Sequence, residues 1–198
     1  MFKFSRRTKI ILTFVAIVAA GYAIVKFTQG SGAVPQDFSD ARMQGAIIAQ
    51  NIVNLSNQST ATLEQVGALD EKGDYAGALA LTTNLVTQSQ DIRDQAVALS
   101  GQIEAMTKAL SDISDFNARQ AALESISNRL ALINQLINYS GDTGKLLETL
   151  RERFTGTGGT GAGVQALVNQ INTDVNAINN FNSQAGQAMD RFDAIVGK

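Results

Sequence analysis

The stretch that decides the fold is residues 78–113, ALALTTNLVTQSQDIRDQAVALSGQIEAMTKALSDI. Its apolar and small residues recur at alternating steps of four and three, which is the spacing of one face of an α-helix packed against a neighbouring helix. A seam this narrow cannot be buried by one helix alone, so the sequence predicts helical partners for it. The predicted seam consists of Ala78, Thr82, Leu85, Ser89, Ile92, Ala96, Leu99, Ile103, Met106, Leu110 and Ile113.

Three other segments carry the same helical spacing, one before this stretch and two after it. Ser39 or Asp40 is expected to cap the first helix and Asp74 the second, because their side-chain oxygens can accept backbone N–H groups of the first turn. The sequence therefore predicts one helical body over residues 39–198. Its helices are predicted at about 39–70, 74–112, 115–154 and 162–196.

The third helix carries two predicted irregularities. A fresh apolar seam begins after residues 111–115, which predicts a turn there, with a continuous helix and a slipped register as the alternative. Within the helix, the sequence SGDTG predicts a break or kink near residues 140–144. The glycine-rich residues 156–163 predict the loop that leads into the fourth helix. The fresh seam is predicted to be Phe116, Leu123, Ile126, Leu130, Ile133 and Ile137.

The number and length of these segments predict the fold class. Helices of similar length joined by short connections favour antiparallel neighbours. A single proline, Pro35, and a composition rich in alanine, leucine, glutamine and asparagine favour helix over sheet. We therefore predict an all-α protein, in which an N-terminal transmembrane or signal helix precedes a long antiparallel four-helix bundle with coiled-coil-like packing.

The amino-terminal part differs in kind from the rest of the chain. Residues 10–25, IILTFVAIVAAGYAIV, contain no charge and follow the basic stretch KFSRRTK. As a helix they span ~24 Å, and two further residues extend them toward the ~30 Å hydrocarbon core. We expect a basic cytoplasmic stretch at residues 1–9, a single-pass transmembrane anchor at 10–27, a flexible linker at 28–38 and an extracytoplasmic body. The alternative is a cleaved signal peptide and a secreted body.

Charge and missing residue types exclude several classes of function. From residue 36 onward, 18 acidic and 11 basic residues give a net charge of −7, so no nucleic-acid partner is expected. The chain contains no cysteine and no histidine, which removes thiolate nucleophiles, imidazole bases and the usual zinc ligands. The run GTGGTG at residues 156–161 matches a dinucleotide fingerprint in letters, but a helix and not a strand precedes it. We expect no enzyme activity, no cofactor and no metal.

Five polar residues interrupt the predicted apolar seams near the middle of their helices. Such residues form a polar layer that fixes the register between helices, or they line a small polar pocket for a ligand. Both interpretations remain open at the level of the sequence. The residues are Ser59, Thr62, Thr82, Ser89 and Asn182.

Two hypotheses of function follow from these features. The first is a non-catalytic, membrane-anchored protein of the cell envelope that acts through protein–protein interaction or self-association. The second is an extracytoplasmic bundle that binds a small molecule through the polar layer. An anchor followed by a helical bundle resembles the sensing half of bacterial chemoreceptors, which implies ligand sensing, although the resemblance is one of architecture and no sequence motif carries it.

Overall fold

A computed structural model describes residues 34–197 of the chain. The predicted cytoplasmic stretch, membrane segment and most of the linker lie outside the described residues. The described part is built from four long α-helices and one short 3₁₀ turn at Leu110–Asp112. The prediction of an all-α fold with four helices packed on one another is confirmed. The helices are α1 (Gln36–Lys72), α2 (Tyr75–Ala109), α3 (Phe116–Thr155) and α4 (Gly161–Val196).

The helices begin where the sequence offers caps. Asp74 caps α2 as predicted, because its side chain accepts a hydrogen bond from the Gly77 backbone N–H at 2.9 Å. The prediction for α1 was wrong, since this helix begins directly after Pro35 and not at Ser39 or Asp40. Proline has its φ angle already set near the helical value and the Ser39 N–H bonds to its carbonyl, so the helix starts one turn earlier.

Two glycines end helices at the same end of the bundle. Gly73 after α1 and Gly156 after α3 have φ angles of 78° and 72°, in the left-handed region that favours glycine. Each donates its backbone N–H to a carbonyl in the last turn of the preceding helix, which satisfies groups that a helix end leaves unpaired. We call the end that carries both glycines the distal end and the opposite one, where α1 begins, the proximal end.

Short connections make successive helices antiparallel. Close backbone packing joins α1 to α2, α2 to α3 and α3 to α4. The seam between α1 and α4 is bridged at the proximal end by the Phe38 and Phe192 rings, whose centroids are 5.2 Å apart. An ion pair between Arg42 and Asp193 lies beside them. The distal end is held by Arg153 of α3, which contacts Asp70 of α1 at 2.9 Å.

Helix α2 supplies the central stripe of the core. Every residue of its predicted seam is buried, from Ala78 at the distal end to Ile113 beyond the 3₁₀ turn. The predicted turn near residues 111–115 is also present, since Ile113 is extended and Asp115 caps α3 by accepting the Ala118 N–H at 2.8 Å. The strict four-three spacing therefore predicted this part of the core correctly.

The predicted break near residues 140–144 is wrong, because α3 continues through it without interruption. Ser140 and Thr143 are buried in this stretch, and Ser140 exchanges hydrogen bonds with Ser89 of α2. A Cβ added at Gly141 or Gly144 would meet no atom within 4 Å, so these two glycines lie on the open side of the helix. Packing of the inner side offsets the low helix propensity of glycine on the outer side.

The predicted seam of α3 is only half correct. Ile126 and Ile133 are buried, whereas Phe116, Leu123 and Leu130 are 70%, 52% and 45% exposed. Helix α3 turns a neighbouring stripe inward instead, and that stripe contains small residues that allow close approach between helices. Ile137 is partly buried at the border between the two stripes. The small buried residues are Ala118, Ala121, Ala122 and Ser125.

Candidate functional site

The structure does not bring the five predicted polar residues together. Ser59 donates to Gln88 Oε1 across the α1–α2 interface at 3.0 Å, and Ser89 is bonded to α3. Thr82 is buried but donates to the Ala78 carbonyl of its own helix, at 2.8 Å. Asn182 is half-buried on α4. Thr62 is likewise half-buried and bonds within its own helix, to the Gln58 carbonyl.

A reciprocal serine pair forms the tightest polar contact between α2 and α3. Ser140 Oγ donates to the Ser89 carbonyl at 2.8 Å, and Ser89 Oγ donates to the Ser140 carbonyl at 3.1 Å. Both side chains are buried. Each hydroxyl thus satisfies a backbone acceptor of the opposite helix, which fixes the register of the two helices. For Ser89 the register-fixing interpretation therefore accounts for the contacts.

A carboxyl cluster lies between α3 and α4, where the sequence analysis identified no site. Asp174 is only 4% exposed; its Oδ1 accepts from Gln170 at 3.2 Å, while its Oδ2 has no hydrogen-bond partner within the described residues. Burial and the nearby carboxyl of Asp142 raise the pKa of Asp174. Asp142 itself is paired with Lys145 at 2.7 Å. The only sequence signal was an aspartate three residues after Ile171, at the edge of an apolar stripe.

Four side chains make up this cluster. Its residues are two carboxyl groups, one lysine and the buried hydroxyl of Thr143, whose Oγ1 has no partner among residues 34–197. Burial also raises the pKa of the nearby Tyr139 phenol, so this group stays protonated. No group of three or more metal-binding side chains occurs within the described part of the chain. The buried Asp174 carboxyl therefore retains its proton to higher pH than an ordinary aspartate does.

Arg129 is the second polar feature that the sequence analysis missed. It lies on the inner face of α3, one turn after Ser125 and one turn before Ile133, both of which are buried. Its Nε atom is buried and has no hydrogen-bond partner among the described residues. Burial and the nearby Arg42 guanidinium lower the pKa of Arg129 to about 10. A signal was present, because Arg129 follows Ile126 by three residues and precedes Ile133 by four.

The outer surface carries an apolar stripe on α3. Phe116, Leu123 and Leu130 are separated by seven residues each, so they lie on one face of the helix, and all three are exposed. On α2, Val86 and Val97 are also exposed, at 40% and 57%, about three helical turns apart. The apolar stripe of α3 is therefore the longest regular row of exposed large apolar residues in residues 34–197.

Two shallow clefts lie between α1 and α2. One, of about 420 Å³, is at the proximal end and is lined by residues that include Asp37, Asp40 and Lys108. The other, of about 490 Å³, is lined by asparagine, glutamine and aspartate side chains around Leu55. Both are open and polar, and neither contains one of the buried unpartnered atoms at Arg129, Thr143 and Asp174.

Comparisons with known proteins add no family to this description. No protein-family model matches the chain, and no curated protein or solved structure is significantly similar to it. None of the four described helices is apolar enough along its length to cross a lipid bilayer.

Proposed function

We propose that this protein is a non-catalytic, membrane-anchored component of the cell envelope that self-associates through the apolar stripe of α3. Residues 10–27 are the proposed anchor, and the bundle lies outside the cytoplasm. The observation that carries the proposal is the exposure of Phe116, Leu123 and Leu130 at heptad spacing. A second protein that offers the same kind of helix face is the alternative partner.

The apolar stripe has the pattern of a helix–helix interface. Between its apolar members lie Gln120 and Ser127, which give the alternating steps of four and three typical of packed helices. None of these residues is charged, so two identical stripes can meet without repulsion. Burying a half-exposed leucine on a partner contributes roughly 1 kcal/mol, so several such residues together support a specific contact.

An anchor would favour a symmetric pair over other arrangements. Two anchored copies stand with the same orientation on one membrane surface, so their α3 helices run parallel at the same height. A two-fold axis between them then brings each residue of the apolar stripe opposite its own counterpart. Leu123 of one copy would lie near Leu123 of the other. This geometry makes the proposal directly testable by crosslinking.

The absence of cysteine from the sequence makes the test clean. A single Leu123→Cys substitution in the full chain, oxidised in native membranes, is expected to give a disulfide-linked dimer on a non-reducing gel. Gln184→Cys serves as the matched control, because Gln184 is exposed but lies on α4 and is not a member of the apolar stripe. Equal dimer yields from the two variants, or none from either, would contradict self-association through this stripe.

A crosslinked band of another mass would lead to a different conclusion. If Leu123→Cys forms a mixed product with another membrane protein and no dimer, the stripe binds a heterologous partner. The same band from Gln184→Cys would show that the crosslink is not specific to the stripe. The two variants therefore separate self-association, partner binding and random collision.

A further inference from the structure

Arg129 projects from the inner face of α3, among the buried residues Ser125, Ile126 and Ile133. Arginine stays protonated in proteins, and the Nε–H of the partly buried Arg129 has no acceptor within the described residues, which is unfavourable. No carboxylate within residues 34–197 forms an ion pair with Arg129. Its guanidinium therefore has no acidic counter-charge within the described residues.

The neighbouring cation already has its partner. Arg42 of α1 donates from both terminal nitrogens to Asp193 of α4, at 2.6 and 2.7 Å. This fork-to-fork geometry uses both carboxylate oxygens, so Asp193 is engaged by Arg42. The pKa of Arg129 is lowered by burial first and by the positive charge of Arg42 second.

The level of Arg129 along the bundle follows from one hydrogen bond. Ser125 Oγ donates to the Ala185 carbonyl of α4 at 2.9 Å, which places these two residues side by side. Since α3 and α4 are antiparallel, Arg129, one turn after Ser125, lies close to the level of Asn182. Side chains on a helix lean toward its amino terminus, so the guanidinium returns toward Gly186.

Space remains beside that position. Gly186 precedes Asp193 by seven residues, so it lies on the same stripe of α4 that faces α1. A Cβ added at Gly186 would meet no atom within 4 Å. On α1, the residue seven positions after Arg42 is Ala49, which is small and half-buried. The α1–α4 seam is therefore open about two turns beyond the Arg42–Asp193 pair.

We propose that this opening between α1 and α4 binds a small oxyanion, a carboxylate or phosphate group, on the Arg129 guanidinium. The planar guanidinium presents donors in a fork that matches two oxygens of such a group, and its Nε is unused within the described residues.

Thermal unfolding of the full chain in detergent tests the site. Sodium acetate and sodium phosphate are each compared with sodium chloride at equal pH and ionic strength. An anion that binds only the folded state raises the midpoint, and we expect a rise of about 2 to 4 °C with at least one of the two oxyanions. A shift with phosphate alone assigns phosphate groups as ligands, and a shift with acetate alone assigns carboxylates.

Two variants make the test specific. Arg129→Gln should abolish the shift, whereas Arg119→Gln, which removes a half-exposed arginine of the same helix, should retain it. Arg129→Lys keeps the charge but loses the planar fork, so it should show a smaller shift and serves if the glutamine variant does not fold. An equal shift in the wild type and in the Arg129 variants would overturn the proposal. So would the absence of any shift in the wild type.

Discussion

The two halves of α3 differ in the burial of their large apolar side chains. In the half near the distal end, residues 137–155, the large apolar residues Tyr139, Leu147 and Phe154 are buried. In the half near the proximal end, residues 116–136, three large apolar residues are exposed. That same half turns Arg129 inward, where its Nε is buried without a partner among the described residues.

This contrast separates the side chains that stabilise the monomer from those that monomer stability does not explain. Stability of a monomer explains the distal half, because each large apolar side chain there leaves water on folding. It does not explain two features of the proximal half, namely leucines that stay exposed and the buried Nε–H of Arg129 that has no acceptor within the described residues. Both proposals, self-association and oxyanion binding, accordingly use this half of α3, through side chains on different faces of the helix.

The largest expected effect on stability comes from comparing a buried leucine in the distal half of α3 with an exposed leucine in the proximal half. Leu147→Ala removes a fully buried side chain in the distal half and should lower the free energy of unfolding by about 3 kcal/mol. Leu123→Ala removes an exposed side chain in the proximal half and should change it by less than about 1 kcal/mol. Urea unfolding followed by circular dichroism, at a concentration that keeps the chain monomeric, measures both. Equal losses would refute the contrast.

A smaller effect concerns Asp174, the buried carboxyl that faces the distal half of α3. Its raised pKa means that the folded state holds the proton more tightly than the unfolded chain does. This contribution to stability is complete below the ordinary carboxyl pKa of about 4 and is lost as the pH rises toward the raised value. Asp174→Asn should therefore stabilise the protein at neutral pH, by roughly 1 kcal/mol, because an amide can donate where a second carboxylate repels Asp142.

The control for this prediction is the pH dependence itself. Wild type and Asp174→Asn should converge in stability at the acidic end of the range and diverge as the pH rises. Unfolding midpoints measured from pH 4 to pH 7 give this comparison. A variant that is less stable than the wild type at neutral pH would show that the ionised carboxylate is held favourably, contrary to its burial.

The smallest effect is expected on the outer side of the proximal half. Glu124 forms an ion pair with Arg191 of α4, and both side chains are about half exposed. Exposed pairs of this kind contribute little because water and salt screen them. Glu124→Gln should change the free energy of unfolding by less than about 0.5 kcal/mol, as measured by urea unfolding in low salt. A loss above 1 kcal/mol would indicate that the proximal half depends on charge pairing.

The sequence predicted α2 well because only one of its faces is apolar. Its seam from Ala78 to Ile113 is buried throughout, and the turn that follows it was also predicted. Helix α3 has two adjacent stripes, and periodicity alone cannot decide which of them faces inward. The stripe that faces inward is the one that contains Ala118 and Ala122, whose small size allows close approach between helices.

The interior polar sites were harder to predict for a different reason. Ser89 was predicted as part of a polar layer, but its partner Ser140 lay in a stretch predicted to break the helix. Asp174 and Arg129 are residue types that normally lie on the surface, so their burial depends on the rotation of α3 and α4 about their axes. That rotation is set by packing between helices that are distant in sequence. The spacing of apolar residues within one helix does not determine it.

The Arg42–Asp193 pair has a mechanical consequence. Residues before Val34 connect covalently to the bundle through α1, so tension along that part of the chain enters at the first turns of this helix. There Phe38 lies on Phe192 and Arg42 grips Asp193, so the last turns of α4 share the load with α2. A pull along the axis of α1 must slide both contacts at once, in shear, before the helix can peel away. The two contacts thus reinforce the proximal end, which is where a membrane anchor at the amino terminus would apply force to the bundle.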